Sequence, residues 1–306
     1  MQTAAVLNTL YIRFLMGNRS LKELLQKYSR LHLRPDDSTY DALIFSDELE
    51  IAYQTGRPLR EVECSALETG ILPERYSRNQ KSLSNSDQLR LLQSHAAVIG
   101  LGGLGGTVTE ILARIGVGHL TLIDGDCFEE SNLNRQLLSS TTLLGQSKAI
   151  AAKNRVAEIN PAVEVQAVEQ FFSAKNSHEL LRGALVAIDC LDTISDRFVV
   201  EEGCRKEGIP LVSAAIGGCS GQATLVYPGE SGLKRVYGEP AKAPSRGVEA
   251  SMGTLPFAAM YMAAVECAEV VTLLLGKSGE LRNRLFFADV SDHTSELFTL
   301  PEGPEK

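Results

Sequence analysis

Nothing in this sequence pairs its cysteines. The six, at 64, 127, 190, 204, 219 and 267, never fall as C-x-x-C. A tetrahedral thiolate site needs four ligands, so no structural zinc is expected. Met1–Leu10 lacks a basic leader segment. Scattered cysteines with no secretory signal fit a reducing cytoplasm. Positive charge is also scarce. Thirty Lys and Arg stand against 38 Asp and Glu, a net charge of −8. Nucleic-acid surfaces are typically basic, so nucleic acid is not an expected partner. Any cations that a phosphate needs must be local. The longest apolar stretch, Pro256–Gly276, carries Glu266 and Glu269. It is expected to be a buried or interface helix, not a membrane span.

What is present is concentrated between residues 98 and 148. Val-Ile-Gly-Leu-Gly-Gly-Leu-Gly-Gly at 98–106 follows an apolar run, His95–Leu101, which predicts a buried parallel strand. Val108, Ile111, Leu112 and Ile115 then recur at helical spacing. A glycine turn between strand and helix lets backbone N–H groups approach a phosphate at the positive helix end. Gly100, Gly102, Gly103 and Gly105 supply the turn and the close approach. A second strand, His119–Asp124, ends in an acid about 20 residues past the turn, where an acid of this fold type holds ribose hydroxyls. Taken alone, the turn fits a nicotinamide or flavin site as well as an adenine-nucleotide site.

The next residues separate these readings. Ser-Asn-Leu-Asn-Arg-Gln at 131–136 and Gly-Gln-Ser-Lys at 145–148 bring Arg135 and Lys148. Phosphates need both cations, whereas a dehydrogenase needs neither. No His-based or Tyr-Lys catalytic pattern of a dehydrogenase is recognisable.

Here the chain resembles the ThiF/MoeB/HesA family of ubiquitin-activating-like adenylyltransferases. The matching pieces are Arg-Tyr-Ser-Arg at 75–78, Gly100–Gly105, Asp-Gly-Asp at 124–126, Asn132 with Arg135-Gln136, Lys148, and Asp189-Cys-Leu-Asp192 with Arg197 behind it. The resemblance runs from about Arg75 to about Val290, and its pieces occur in family order.

The resemblance implies ATP-dependent adenylation of the C-terminal Gly-Gly of a ubiquitin-like sulfur-carrier protein. It implies nucleotide contacts from Gly100, Gly102, Gly103, Gly105, Asp124, Asp126, Asn132 and Gln136. Arg135 and Lys148 would meet the phosphates. Asp192 would hold Mg²⁺, since a hard cation wants carboxylate oxygen. Its position before Thr193 also suits a helix N-cap, and the two roles are compatible. Arg78 would act as an arginine finger from the other subunit, so a homodimer is implied. Three departures are visible. Thr193 stands where the family usually has Asn, Asn79 where it usually has Gln, and Tyr-Pro-Gly-Glu-Ser-Gly occupies 227–232 where a zinc-binding pair would fall. Cys219, in Gly-Gly-Cys-Ser-Gly, is the one cysteine on a glycine-rich turn near the expected site edge. Other classes stay open: a nicotinamide dehydrogenase, a non-catalytic scaffold, and a tRNA-nucleoside dehydratase with the same ATP site.

Organisation follows from periodicity. Residues 1–73 read as a helical extension, with capping boxes at Ser20–Glu23 and Ser65–Glu68 and a weaker start at Ser46. Residues 74–306 read as one further domain, which the resemblance implies is the ATP-binding adenylyltransferase domain. Strands and helices alternate from residue 95 onward, predicting a Rossmann-like, mostly parallel sheet with helices on both faces. Gln222–Tyr227 and Leu285–Val290 read as an antiparallel C-terminal portion. Gly229–Gly253, rich in Gly, Pro, Ser and charge, reads as a loop.

Overall fold

A capping box opens the first helix. The Ser20 hydroxyl accepts from the Glu23 N–H at 3.3 Å, and the Glu23 carboxylate accepts from the Ser20 N–H at 2.9 Å. The structure, a computed structural model, describes residues 20–301 apart from 245, 246 and 248. The chain divides into two units, Met1–Leu92 and Gln93–Lys306.

The first unit contains α1 (Leu21–Tyr28), β1 (Arg30–Leu33), β2 (Thr39–Leu43), α2 (Phe45–Thr55), α3 (Leu59–Glu68), β3 (Leu72–Pro73), a 3₁₀ stretch (Glu74–Asn79) and α4 (Asn85–Leu92). Its sheet runs β1-β2-β3, antiparallel then parallel. Leu24, Leu25, Leu43, Ile51, Val62, Ala66 and Ile71 form the core.

The extension expected to be helical is therefore mixed. Residues 1–19 of it lie outside the described residues. Its strands are short, and β1 is exposed along most of its length, so no period-2 pattern marked them. The unit also runs past residue 73. Tyr76, Leu92 and the half-buried Leu89 pack with Leu67 and Leu72. The box at Ser65 is not a helix start. It lies inside α3, which begins after Pro58, a residue whose ring presets the entry angle. Near Ser46, α2 begins at Phe45 with no side-chain cap, and Asp47 and Glu48 fall in its first turn. That placement is favourable at the positive helix end.

The second unit contains β4 (His95–Ile99), α5 (Gly103–Ile115), β5 (His119–Ile123), α6 (Lys148–Ile159), β6 (Glu164–Val168), α7 (Ser177–Leu181), β7 (Val186–Asp189), α8 (Ile194–Glu207), β8 (Leu211–Gly217) and β9 (Ser220–Val226). Two single-turn helices follow, Lys234–Tyr237 and Glu249–Met252, within the stretch read as a loop. Then come α9 (Pro256–Leu274), β10 (Arg284–Asp289) and β11 (Thr294–Thr299).

The eight strands are ordered β11-β10-β9-β8-β7-β4-β5-β6. The run from β8 to β6 is parallel, and β9, β10 and β11 continue it antiparallel. This is the mostly parallel Rossmann-like sheet with an antiparallel end that the sequence predicts. β11, exposed at every residue, carries no burial pattern that a sequence reading could find. Chain order reverses between β4 and β7, so the crevice beyond their carboxyl ends is the place for a ligand. α9 packs along α5, β8 and β9. Ala258, Ala259, Met262, Ala263 and Val270 on its inner face are fully buried.

Candidate nucleotide site

A cavity of about 520 Å³ opens at that crevice. Gly100, Gly102, Gly103, Asp124, Asp126, Arg135, Gln136, Lys148 and Asp192 all line it. The loops after β4, β5 and β7 and the start of α6 thus bring together most of the residues singled out in the sequence.

The glycine turn is built by close contacts. Gly100 adopts φ +87°, and a Cβ there would sit 2.9 Å from the Cys190 carbonyl oxygen. A Cβ on Gly105 would fall 1.8 Å from the Gly100 carbonyl oxygen. Gly105 does not line the cavity. Its part is to let α5 press against the turn.

Asp124 joins the two loops. Its Oδ2 accepts from the Leu101 N–H at 2.7 Å, and its Oδ1 accepts from the Asp126 N–H at 2.8 Å. Burial raises its pKa, and the nearby Lys148 charge works against that rise. Each carboxylate oxygen can accept more than one bond, so both backbone contacts leave capacity for sugar hydroxyls.

Lys148 is the first residue of α6, after the Ser147 cap. Its Nζ lies 3.1 Å from Asp126 Oδ2; the lysine side chain is 8% exposed and the Asp126 side chain 54%. Arg135 donates to two neutral acceptors, the Ser131 carbonyl at 3.0 Å and the Asn134 amide oxygen at 2.8 Å. Gln136 is buried on the cavity wall, and its Oε1 has no hydrogen-bond partner among the described residues. A buried acceptor without a partner is costly. Asn132 does not line the cavity. Its side-chain oxygen accepts from the Glu129 N–H at 3.0 Å, and its carbonyl receives the Arg135 and Gln136 N–H groups. It shapes the loop that presents both.

Asp192 is exposed on the cavity rim. It is not the cap of α8; Thr193 holds that position, without a side-chain cap bond. Among the described residues no group of three or more His, Cys, Asp or Glu is gathered as a metal cage. Mg²⁺ bound through one or two carboxylates and substrate phosphates needs none, so Asp192, lining the same cavity as Lys148 and Arg135, fits that ion.

Several lining residues escaped the sequence reading: Gln170, Phe171, Phe172, Asp196 and Thr254 among them. Arg197 was placed only behind the motif. It is buried, pairs with Asp189 at 2.9 Å and donates to the carbonyls of Leu191 and Ala214. Asp189 in turn accepts from the Leu191 N–H at 3.1 Å. The turn carrying Asp192 is pinned from both sides. Beneath it, Glu266 faces Cys190 at 3.9 Å, and burial pushes its pKa well up.

Arg78 belongs to the first unit. Its neighbours Arg75 and Tyr76 are internal anchors. Arg75 pairs with Glu63 at 3.0 Å, not aligned as a hydrogen bond, and with Glu48 at 3.3 Å. The buried Tyr76 hydroxyl donates to Glu63 at 2.9 Å. Arg78 itself is exposed. Cys219 sits at the β8–β9 turn and does not line the cavity.

The ThiF family model matches residues 76–305. The SAMP-activating enzyme E1 of Haloferax volcanii is 35% identical over 237 residues, covering 76% of this chain and 87% of that protein. Protein HesA of Leptolyngbya boryana is 34% identical over 203 residues, covering 65% of this chain and 73% of its own. The adenylyltransferase and sulfurtransferase MOCS3 of Sus scrofa is 33% identical over 218 residues, 70% of this chain but 48% of that longer protein. Among solved structures, E. coli MccB with ATP superposes with a TM-score of 0.63 at 19% identity, covering 91% of this chain and 96% of MccB. PaaA superposes at 0.62 and 24% identity, covering 74% of this chain and 82% of PaaA. These two likenesses show the fold.

Proposed function

The chain belongs to the ThiF family, and on that premise we propose that it adenylates the C-terminal glycine of a ubiquitin-like sulfur-carrier protein with ATP. The observation that carries this reading is the convergence of Arg135, Lys148 and Asp192 on one cavity with the glycine turn. Two anions must meet in such a reaction. A carboxylate oxygen of the carrier bonds to the α-phosphorus, and the bond from that phosphorus to the bridging oxygen of the β-phosphate breaks. Pyrophosphate leaves with the electron pair, and the carrier is left as an acyl-adenylate.

Catalysis of this kind is mostly positioning and electrostatics. Lys148 is a point charge at a helix start, and Arg135 a planar fork. Mg²⁺ on Asp192 and the phosphates would add positive charge beside the leaving group. Gln136 offers its unpaired oxygen, and Asp124 the ribose contact. Arg78 completes the site from the other copy of a homodimer. No cysteine of this chain takes part in adenylation, and no structural zinc is needed.

Carrier-dependent exchange of radiolabelled pyrophosphate into ATP tests the proposal, alongside calorimetry with ATP-Mg and with NAD. ATP binding and exchange with a Gly-Gly carrier are expected. Tight NAD binding without ATP binding would overturn it.

A further inference from the structure

Two phenylalanines stand side by side after β6, and both line the cavity. Phe172 is half-buried and packs on the core beneath α7 and α8. A Cβ on Gly203 of α8 would meet its ring at 3.1 Å. Phe171 is 68% exposed, yet it lines the cavity. Its ring rests on bare backbone: a Cβ on Gly125 would lie 2.8 Å from it. Gly125 is the residue between Asp124 and Asp126.

The backbone under the ring is tied down. Asn176 Nδ2 donates to the Phe171 carbonyl at 3.0 Å, and Asn176 Oδ1 accepts from the Ser173 N–H at 2.8 Å. An exposed aromatic ring, held in place on a cavity wall, contributes little to the core. Its free surface is left for a flat apolar ligand group.

We propose that Phe171 is the platform on which the purine base of the nucleotide stacks, so that the base is held by its face. This rests on the nucleotide reading above. Asp124, the residue placed to hold the ribose, precedes Gly125 in the chain, and the base lies one glycosidic bond from the sugar. A ring seated over Gly125 therefore stands next to the residue that carries the ribose acid. Stacking suits any base because every base has a π-face. The phosphates fall on the other side of the sugar, toward the glycine turn, Lys148 and Arg135.

The chain contains no tryptophan, so Phe171→Trp introduces a sole reporter at the site. ATP is expected to quench its emission with the same midpoint that calorimetry gives for the variant. Ribose 5-triphosphate, which lacks the base, should leave the emission unchanged. Phe171→Ala and Phe171→Leu should weaken ATP about tenfold, the loss of one stacked base, while Phe171→Tyr retains affinity. Binding of inorganic triphosphate should be equal in all variants. If calorimetry shows ATP bound to Phe171→Trp and the emission does not move, or if Phe171→Ala binds ATP within about twofold of wild type, the stacking platform is wrong and the nucleotide reading survives. If the wild-type protein binds no ATP at all, the nucleotide reading fails and this proposal with it.

Discussion

Lys148 Nζ lies 3.1 Å from Asp126 Oδ2, and the lysine is the buried partner. A buried cation needs a counter-charge, and Asp126 provides one until a phosphate does. Lys148→Ala should cut pyrophosphate exchange about 100-fold or more, the usual cost of removing a preorganised charge. Asp126→Asn removes the competing anion, so ATP affinity should stay within about threefold, under roughly 1 kcal/mol. A much larger loss in calorimetry would mean that Asp126 touches the nucleotide directly.

Arg78 and Asp192 lie in different units of the chain. If Arg78 acts on the partner's site, Arg78→Ala and Asp192→Ala homodimers are both inactive. Mixing and exchanging them should restore part of the exchange activity, because one hybrid site carries both groups. Folded heterodimers that stay inactive would place Arg78 in cis or outside the chemistry.

Arg197 and Asp189 form a buried pair at 2.9 Å. Replacing Arg197 by Met strands a carboxylate with no exposure. Breaking one side of a buried pair typically costs about 3–5 kcal/mol, which urea unfolding would read directly. Arg197→Lys should not rescue, since an ammonium cannot bond Asp189 and the two carbonyls together as the planar fork does. A shift under about 1 kcal/mol would place the pair with exposed ion pairs.

In the first unit, burial pushes the Glu63 pKa up to about 8, and the Glu48 carboxylate beside it adds to the rise. Unfolded, a glutamate titrates near 4.5. Between those values the folded state holds the proton more tightly. Stability must therefore fall as pH rises from about 4.5 to about 8. Glu63→Gln should flatten that slope in melting curves taken at pH 5, 7 and 8.5. An unchanged slope would show that another group carries it.

Cys219 sits at a hairpin turn outside the cavity lining. Cys219→Ala should leave carrier-dependent exchange within about threefold, a barrier change under roughly 1 kcal/mol. A later sulfur-transfer step is a separate assay. Loss of exchange in a folded Cys219→Ala protein would contradict adenylation by the carrier's own carboxylate.

The glycine turn, the alternation of strand and helix, and the cations at 135 and 148 were legible because each is local. A buried parallel strand is an apolar run, a helix repeats every 3.6 residues, and a motif is a spacing. For the same reason α9 could be read as a buried helix from Glu266 and Glu269 in its apolar run. What depended on distant pairing was not legible. β1 and β2 are nearly patternless and exist through their pairing with each other and with Leu72–Pro73. The first unit extends to Leu92 because Tyr76 and Leu92 share a cluster, which no linker composition marks. Asn132 and Gly105 matched the motif, but the fold uses them to shape loops around the cavity.

The sequence by itself determined the kind of ligand end this protein could build: backbone N–H groups at a helix start, an acid after the second strand, and two cations. Only the tertiary structure decided which of those groups face one cavity, since that depends on the reversal of strand order between β4 and β7. It also decided that Phe172 packs against the core while Phe171 stays exposed, although both line the cavity. Adjacent residues of the same type are indistinguishable in a sequence, and their environments are made by α8 on one side and by the bare backbone of Gly125 on the other.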